Sequence, residues 1–104
     1  MYKRQGVLYL DVRLTNNGIG PAQQVQLDSL GVQGLLGTGQ LSFNAMSPRL
    51  PIALPDLAPG AAATVRLYVN VPSTMRRFSL MEGGTLVDGS GRTLRFSSSH
   101  MILP

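Results

Sequence analysis

Residues 8–22 read LYLDVRLTNNGIGPA, and residues 54–72 read LPDLAPGAAATVRLYVNVP. Each stretch joins a run of alternating apolar and polar residues to a turn rich in Asn, Gly or Pro. Alternation with a period of two residues is typical of a β-strand that buries one face. The two runs therefore predict strands over residues 7–15 and 63–71. The first strand should turn its even-numbered side chains inward, and the second its odd-numbered ones.

Turn sequences accompany both predicted strands. The first strand leads into Asn17 and Gly18, which tolerate a positive φ, and Pro21 completes the reversal. The second strand follows Ala-Pro-Gly-Ala at residues 58–61, which predicts a type II turn. Pro59 presets φ at the first central position of such a turn, and Gly60 takes the positive φ at the second.

The segment between these stretches is harder to assign. A strand is predicted from Ala22 onward, with a bulge near Asp28-Ser29 that corrects a change in the parity of its apolar residues. Repeated glycines predict a loop over residues 33–50, interrupted by a short strand around residues 41–45. Nearby prolines confine residues 52–54 to a sheet edge or a connection, because proline cannot donate to a strand ladder.

The C-terminal third predicts two further strands. The first begins at Phe78 and is expected to break at Gly83-Gly84. Residues 88–91, Asp-Gly-Ser-Gly, predict a hairpin loop. The last strand should carry Leu94 and Phe96 inward and end in the serines at 97–99. No run of ten residues has helical spacing, so six or seven short strands predict an all-β sandwich.

Length and composition predict one domain over residues 1–104. The chain is 43% apolar and carries a formal net charge of +4, which is far from the dense basic surface of a nucleic-acid binder. It contains no cysteine, so disulfides are excluded. No apolar run approaches the roughly 20 residues of a membrane span, and the charged N-terminus lacks the apolar segment of a signal peptide. We therefore expect no nucleic-acid partner, no membrane insertion, and a module of a longer chain.

Three short motifs resemble those of the immunoglobulin-like modules of bacterial secreted and cell-surface proteins. They are the Asn-x-Gly turn at residues 14–18, the Leu-x-Pro-Gly turn at residues 57–60, and the strand sequence at residues 64–67. The resemblance implies an immunoglobulin-like β-sandwich of about seven antiparallel strands. It also implies a noncatalytic spacer or adhesion element, located outside the cell or on its surface, whose partners are neighbouring domains or another protein.

Catalytic and metal chemistry have little support in the sequence. The chain has one histidine and five scattered carboxylates, none at metal-ligand spacing. A Ser-His-acid triad around His100 would stand on the C-terminal tail, a poor platform for a preorganised site. A copper site at His100-Met101 lacks a repeated His/Met pattern. We predict no catalytic residue, metal or cofactor, with His100 in solvent and the methionines filling core gaps.

The outer strand faces offer the best binding candidates. By parity, Tyr9 and Arg13 point outward from the first strand, and Arg66, Tyr68 and Asn70 from the later one. Such strands are neighbours in immunoglobulin-like sheets, so these side chains would form one exposed patch. Tyr and Arg are favoured at binding sites, but cross-strand pairing of Tyr and Arg inside the domain explains the same pattern.

A second basic group is predicted around the final hairpin. It comprises Arg76-Arg77, Arg92 and Arg95, and the absence of interleaved exposed aromatics favours a solvated surface. Two alternatives to a spacer or adhesion role remain. One is a carbohydrate-binding accessory module that uses the Tyr/Arg face. The other is an intracellular appendage that binds peptides along a strand edge.

Overall fold

The computed structural model describes residues 2–4 and 6–104, and in that part of the chain it contains strands and no helix. The eight strands are β1 Tyr2–Arg4, β2 Val7–Thr15, β3 Gln23–Gly37, β4 Ser42–Phe43, β5 Ile52–Ala53, β6 Ala62–Asn70, β7 Met75–Val87 and β8 Thr93–Ile102. They form two antiparallel four-stranded sheets, with strand orders β1-β2-β6-β4 and β5-β3-β7-β8.

The two strongest alternating runs pair with each other. In β2 and β6, Leu10 lies opposite Leu67 and Val12 opposite Val65, so each strand adds its apolar side chains to the same face. That face packs on Phe78 of β7 and on other apolar residues of the second sheet. The two sheets therefore enclose one main core, as the predicted parities of residues 7–15 and 63–71 require. The buried residues of this core are Leu8, Leu10, Val12, Leu27, Val65, Leu67, Val69, Val71, Met75, Phe78 and Leu80.

The two predicted turns differ in how they form. Gly60 has φ +82°, and the Ala61 N–H donates to the Ala58 carbonyl at 2.9 Å, as the type II prediction requires. The turn after β2 has no positive φ at Asn17 or Gly18, so the prediction that it depends on a positive φ at these residues was wrong. Instead, the Asn16 side chain accepts a hydrogen bond from the Gly18 N–H at 2.9 Å.

Sheet pairing overrides two predicted interruptions. β3 runs through the glycine-rich segment to Gly37, where a loop was predicted, because it pairs with the first half of β7. β7 likewise continues through Gly83-Gly84 without a break. A Cβ atom at Gly84 would collide with the Gln26 backbone carbonyl of β3 and lie 2.7 Å from the Phe96 ring. These glycines permit close approach of neighbouring strands and do not end the strand.

The remaining predictions for the first half of the chain concern a bulge in β3 and two short strands. The bulge near Asp28 is present, since Leu27 pairs with Gly84 and Ser29 with Gly83. The short strand predicted at 41–45 is β4, and β5 is an edge strand.

The last strand differs from its prediction. β8 continues past the serines to Ile102, because it pairs with β7 along its whole length. Leu94 is 40% exposed, so its predicted inward placement was wrong, whereas Phe96 is half-buried against the core.

Candidate functional site

The outer face of β2 and β6 brings together three of the five predicted binding residues. Tyr9 lies opposite Tyr68, with ring centroids 6.3 Å apart and ring planes tilted by 59°. The Arg66 guanidinium lies 4.1 Å above the Tyr9 ring. It also donates two hydrogen bonds to the Asp11 carboxylate, at 2.8 and 3.1 Å. Arg66 is therefore held by two groups of its own sheet.

The charge pair on this face perturbs both of its members. The hydrogen bond from Arg66 lowers the pKa of the Asp11 carboxyl, with the Coulombic attraction of the guanidinium as a smaller cause. The same hydrogen bond raises the pKa of Arg66. Both side chains are about half exposed, so the pair is a screened surface ion pair.

The other two predicted residues, Asn70 and Arg13, lie at opposite ends of the outer face of β2 and β6. Asn70 lies opposite Val7 at the start of β2 and hydrogen-bonds to Ser42 and Asn44. Arg13 lies opposite Thr64 near the end of β2. The five residues thus form a row along the strands, in which Asn70 is joined to the β4 side.

The predicted basic group around the hairpin does not form. Arg76 and Arg77 lie at the start of β7, and the hairpin follows Val87 at its far end. Arg92 and Arg95 lie beside the hairpin, where Arg95 donates to both carboxylate oxygens of Asp28 at 3.2 Å. The rest of β7, over residues 78–87, separates the two pairs because the strand does not break at its glycines.

A crevice opens along the side of the sandwich where β2 and β8 face each other. It has a volume of about 490 Å³, and a smaller hollow of about 290 Å³ adjoins it at Arg13 and His100. Its walls carry apolar side chains from both sheets, including Leu14, Val25 and Phe96. Glu82 of β7 is the acidic residue in this lining.

Glu82 is the most deeply buried charged residue in the described part of the chain. Its side chain is 1% exposed, and its Oε1 lies 2.8 Å from Nε2 of His100. Its Oε2 is buried and has no hydrogen-bond partner. Buried carboxylate oxygens are ordinarily hydrogen-bonded, because desolvating them is costly. Glu82 is therefore half-satisfied, and the residue lines the crevice.

The Glu82–His100 pair was not predicted, although the sequence contains a signal for it. Glu82 shares the parity of the buried Phe78 and Leu80, so an acid interrupts an apolar face. The hairpin at 88–91 sets the β7–β8 register, which places Ser98 opposite Glu82 and His100 opposite Leu80. His100, predicted to lie in solvent, has a side chain that is 44% exposed and is bound to Glu82.

The pair supplies an acid next to an imidazole. Within residues 2–4 and 6–104, no serine or threonine hydroxyl hydrogen-bonds to His100, so the third member of a triad is not assembled there. Over the same residues, no group of three or more His, Asp or Glu side chains could hold a metal ion.

Comparison with known proteins leaves the chain without a relative to guide this assignment. No family model, curated protein or solved structure matches it. In the described residues, no helix is long and apolar enough to cross a bilayer.

Proposed function

We propose that the chain is a noncatalytic immunoglobulin-like module of a bacterial secreted or cell-surface protein, where it acts as a spacer or adhesion element. The shape of the molecule is the observation that supports this best. The chain extends 47 Å along its longest axis and 23 and 20 Å across it. β3 alone, with fifteen residues, spans up to roughly 46 Å at a rise of about 3.3 Å per residue. A stiff rod of two packed sheets suits a module that holds its neighbours apart.

Contacts between the two turn motifs support the immunoglobulin-like assignment. The Asn16 side chain donates to the Leu57 carbonyl at 2.9 Å, and the Gly60 N–H donates to the Asn16 carbonyl at 2.8 Å. The Asn-x-Gly and Leu-x-Pro-Gly motifs, 41 residues apart, therefore stabilise the same end of the sandwich.

The outer Tyr/Arg face favours a spacer over a carbohydrate-binding module. Arg66, one of the two arginines there, is already bound to Asp11 and stacked on Tyr9. A sugar would have to compete with these contacts. The same geometry explains the pattern of exposed Tyr and Arg as cross-strand pairing within the sheet.

A domain-exchange experiment tests this proposal in the organism that encodes the chain. Residues 1–104 are deleted from the parent protein, or replaced by an unrelated β-sandwich of similar length, and surface display and adhesion of intact cells are measured. A spacer role predicts that deletion impairs function and that the unrelated sandwich restores it. If only the native module restores function, the module contributes binding. Antibody labelling of the module only after permeabilisation would refute the surface assignment.

A further inference from the structure

The crevice lies beneath a strand edge that the rest of the sheet leaves open. β1 pairs with β2 only over Val7–Tyr9. In the described part of the chain, residues 10–15 of β2 therefore pair with β6 on one side and have no strand on the other. An open edge presents backbone N–H and carbonyl groups to which an extended segment can add.

We propose that the crevice binds an extended segment of a partner protein, which adds to β2 along residues 10–15 and places a Lys or Arg side chain against Glu82. The inference deepens the adhesion role proposed above and rests on it. It assigns that role to the side of the sandwich, at a site that meets the Tyr/Arg face at Arg13.

The unpartnered oxygen of Glu82 specifies the charge of the ligand. Oε1 is taken by His100, whereas Oε2 is buried with no donor. A cationic side chain would supply both a hydrogen bond and a compensating charge in a site shielded from water. Lys and Arg suit such a site, because a long apolar stem would carry their charged group between the apolar walls of the crevice toward Glu82.

The apolar walls specify the residues around that cation. Leu14 and Phe96 line the crevice from opposite sheets, and Leu10, Leu80 and Ile102 line the adjoining hollow. Alternate residues of an added strand would point into this space at a spacing of about 6.6 Å. The preferred ligand therefore has apolar, cationic and apolar residues at its three inward positions.

Peptide binding to the isolated 104-residue chain tests the proposal. The probe is a fluorescein-labelled peptide, Thr-Val-Thr-Lys-Thr-Val-Thr, whose affinity is measured by fluorescence anisotropy. The comparison peptides carry Met in place of Lys, or N-methyl groups at alternate residues that remove backbone donors. The protein variant Glu82→Gln keeps the size of the side chain and removes its charge, and circular dichroism confirms its fold.

We expect the Lys peptide to bind the wild-type chain about tenfold more tightly than the Met peptide, because a charge-assisted hydrogen bond is gained. Glu82→Gln should remove this preference, so that the variant binds the Lys and Met peptides equally. The N-methylated peptide should bind at least about tenfold more weakly, since the strand ladder is lost.

Several outcomes would overturn the proposal. Equal affinity of the wild-type chain for the Lys and Met peptides would remove the role of Glu82, and so would a preference that survives Glu82→Gln. Full binding of the N-methylated peptide would exclude strand addition. A stable dimer in sedimentation equilibrium that blocks the peptides would show that a second copy fills the crevice. These failures differ from a failure of domain exchange, which is measured on the parent protein in cells.

Discussion

Replacing Glu82 by Met should stabilise the protein, although it removes the contact between Glu82 and His100. The carboxylate is fully buried, one of its oxygens has no donor, and its partner His100 is nearly half exposed. Removing one member of a buried pair is usually destabilising because the other charge stays buried. Here the remaining group can turn to water, whereas the deleted group carries the desolvation penalty.

The size of the effect follows from the same contacts. An unsatisfied buried polar group costs about 1–3 kcal/mol, and replacing a buried ion pair by apolar residues stabilises some proteins by about 1–4 kcal/mol. Subtracting a partly exposed hydrogen bond to His100, worth about 1 kcal/mol, leaves an expected gain of up to about 2 kcal/mol. For a domain of this size, each kcal/mol raises Tm by roughly 4–8 °C.

Urea unfolding and thermal melting at pH 7 measure the change, with His100→Ala as the matched variant. Loss of the imidazole leaves both oxygens of Glu82 buried without the partner seen here, so His100→Ala should destabilise by about 3 kcal/mol or more. A lower urea midpoint for Glu82→Met than for wild type would refute this reasoning. It would mean that Glu82 stabilises the fold. The proposal that Glu82 is kept for binding at a cost in stability would then fail.

Three further predictions concern the turn before β6, the packing of β3 on β7, and the ion pair between Asp11 and Arg66. Gly60→Val places a β-branched residue at φ +82° and should cost about 1–3 kcal/mol; an unchanged urea midpoint would contradict the type II turn. Gly84→Ala should lower Tm more than Gly20→Ala, because only the former Cβ meets neighbouring atoms and neither glycine has a positive φ; equal shifts would disprove close packing of β3 on β7. The lowered pKa of Asp11 contributes stability above its unfolded pKa that is lost as pH falls through the folded value. The stability difference between wild type and Arg66→Met should therefore shrink below about pH 4, and a pH-independent difference would argue against the ion pair.

The local sequence pattern was sufficient to predict the structure of a strand where one of its faces is apolar and the other polar. The parities of β2 and β6 identified their buried side chains, and proline followed by glycine at residues 59–60 identified the turn before β6. In each case a few adjacent residues carry the information, since burial on one face and a positive φ are local properties.

The errors arose where tertiary contact decides the structure. Glycine at residue 84 resembles a strand break in sequence, yet it is required because the Gln26 carbonyl of β3 approaches its Cα. The Glu82–His100 pair spans 18 residues and becomes visible only when the β7–β8 register is worked out from the hairpin. The alternation of apolar residues within one strand does not show which residues of the neighbouring strand lie opposite them.

The distal part of the β3–β7 ribbon is exposed on one strand and anchored in the core by the other. All residues from Gln33 to Gly37 of β3 are exposed, whereas the opposing segment of β7 contributes Met75 and Phe78 to the core. Removing residues from both strands there would take buried side chains out of the interior and leave a cavity. The length of this molecule is therefore fixed by the same residues that hold its two sheets together.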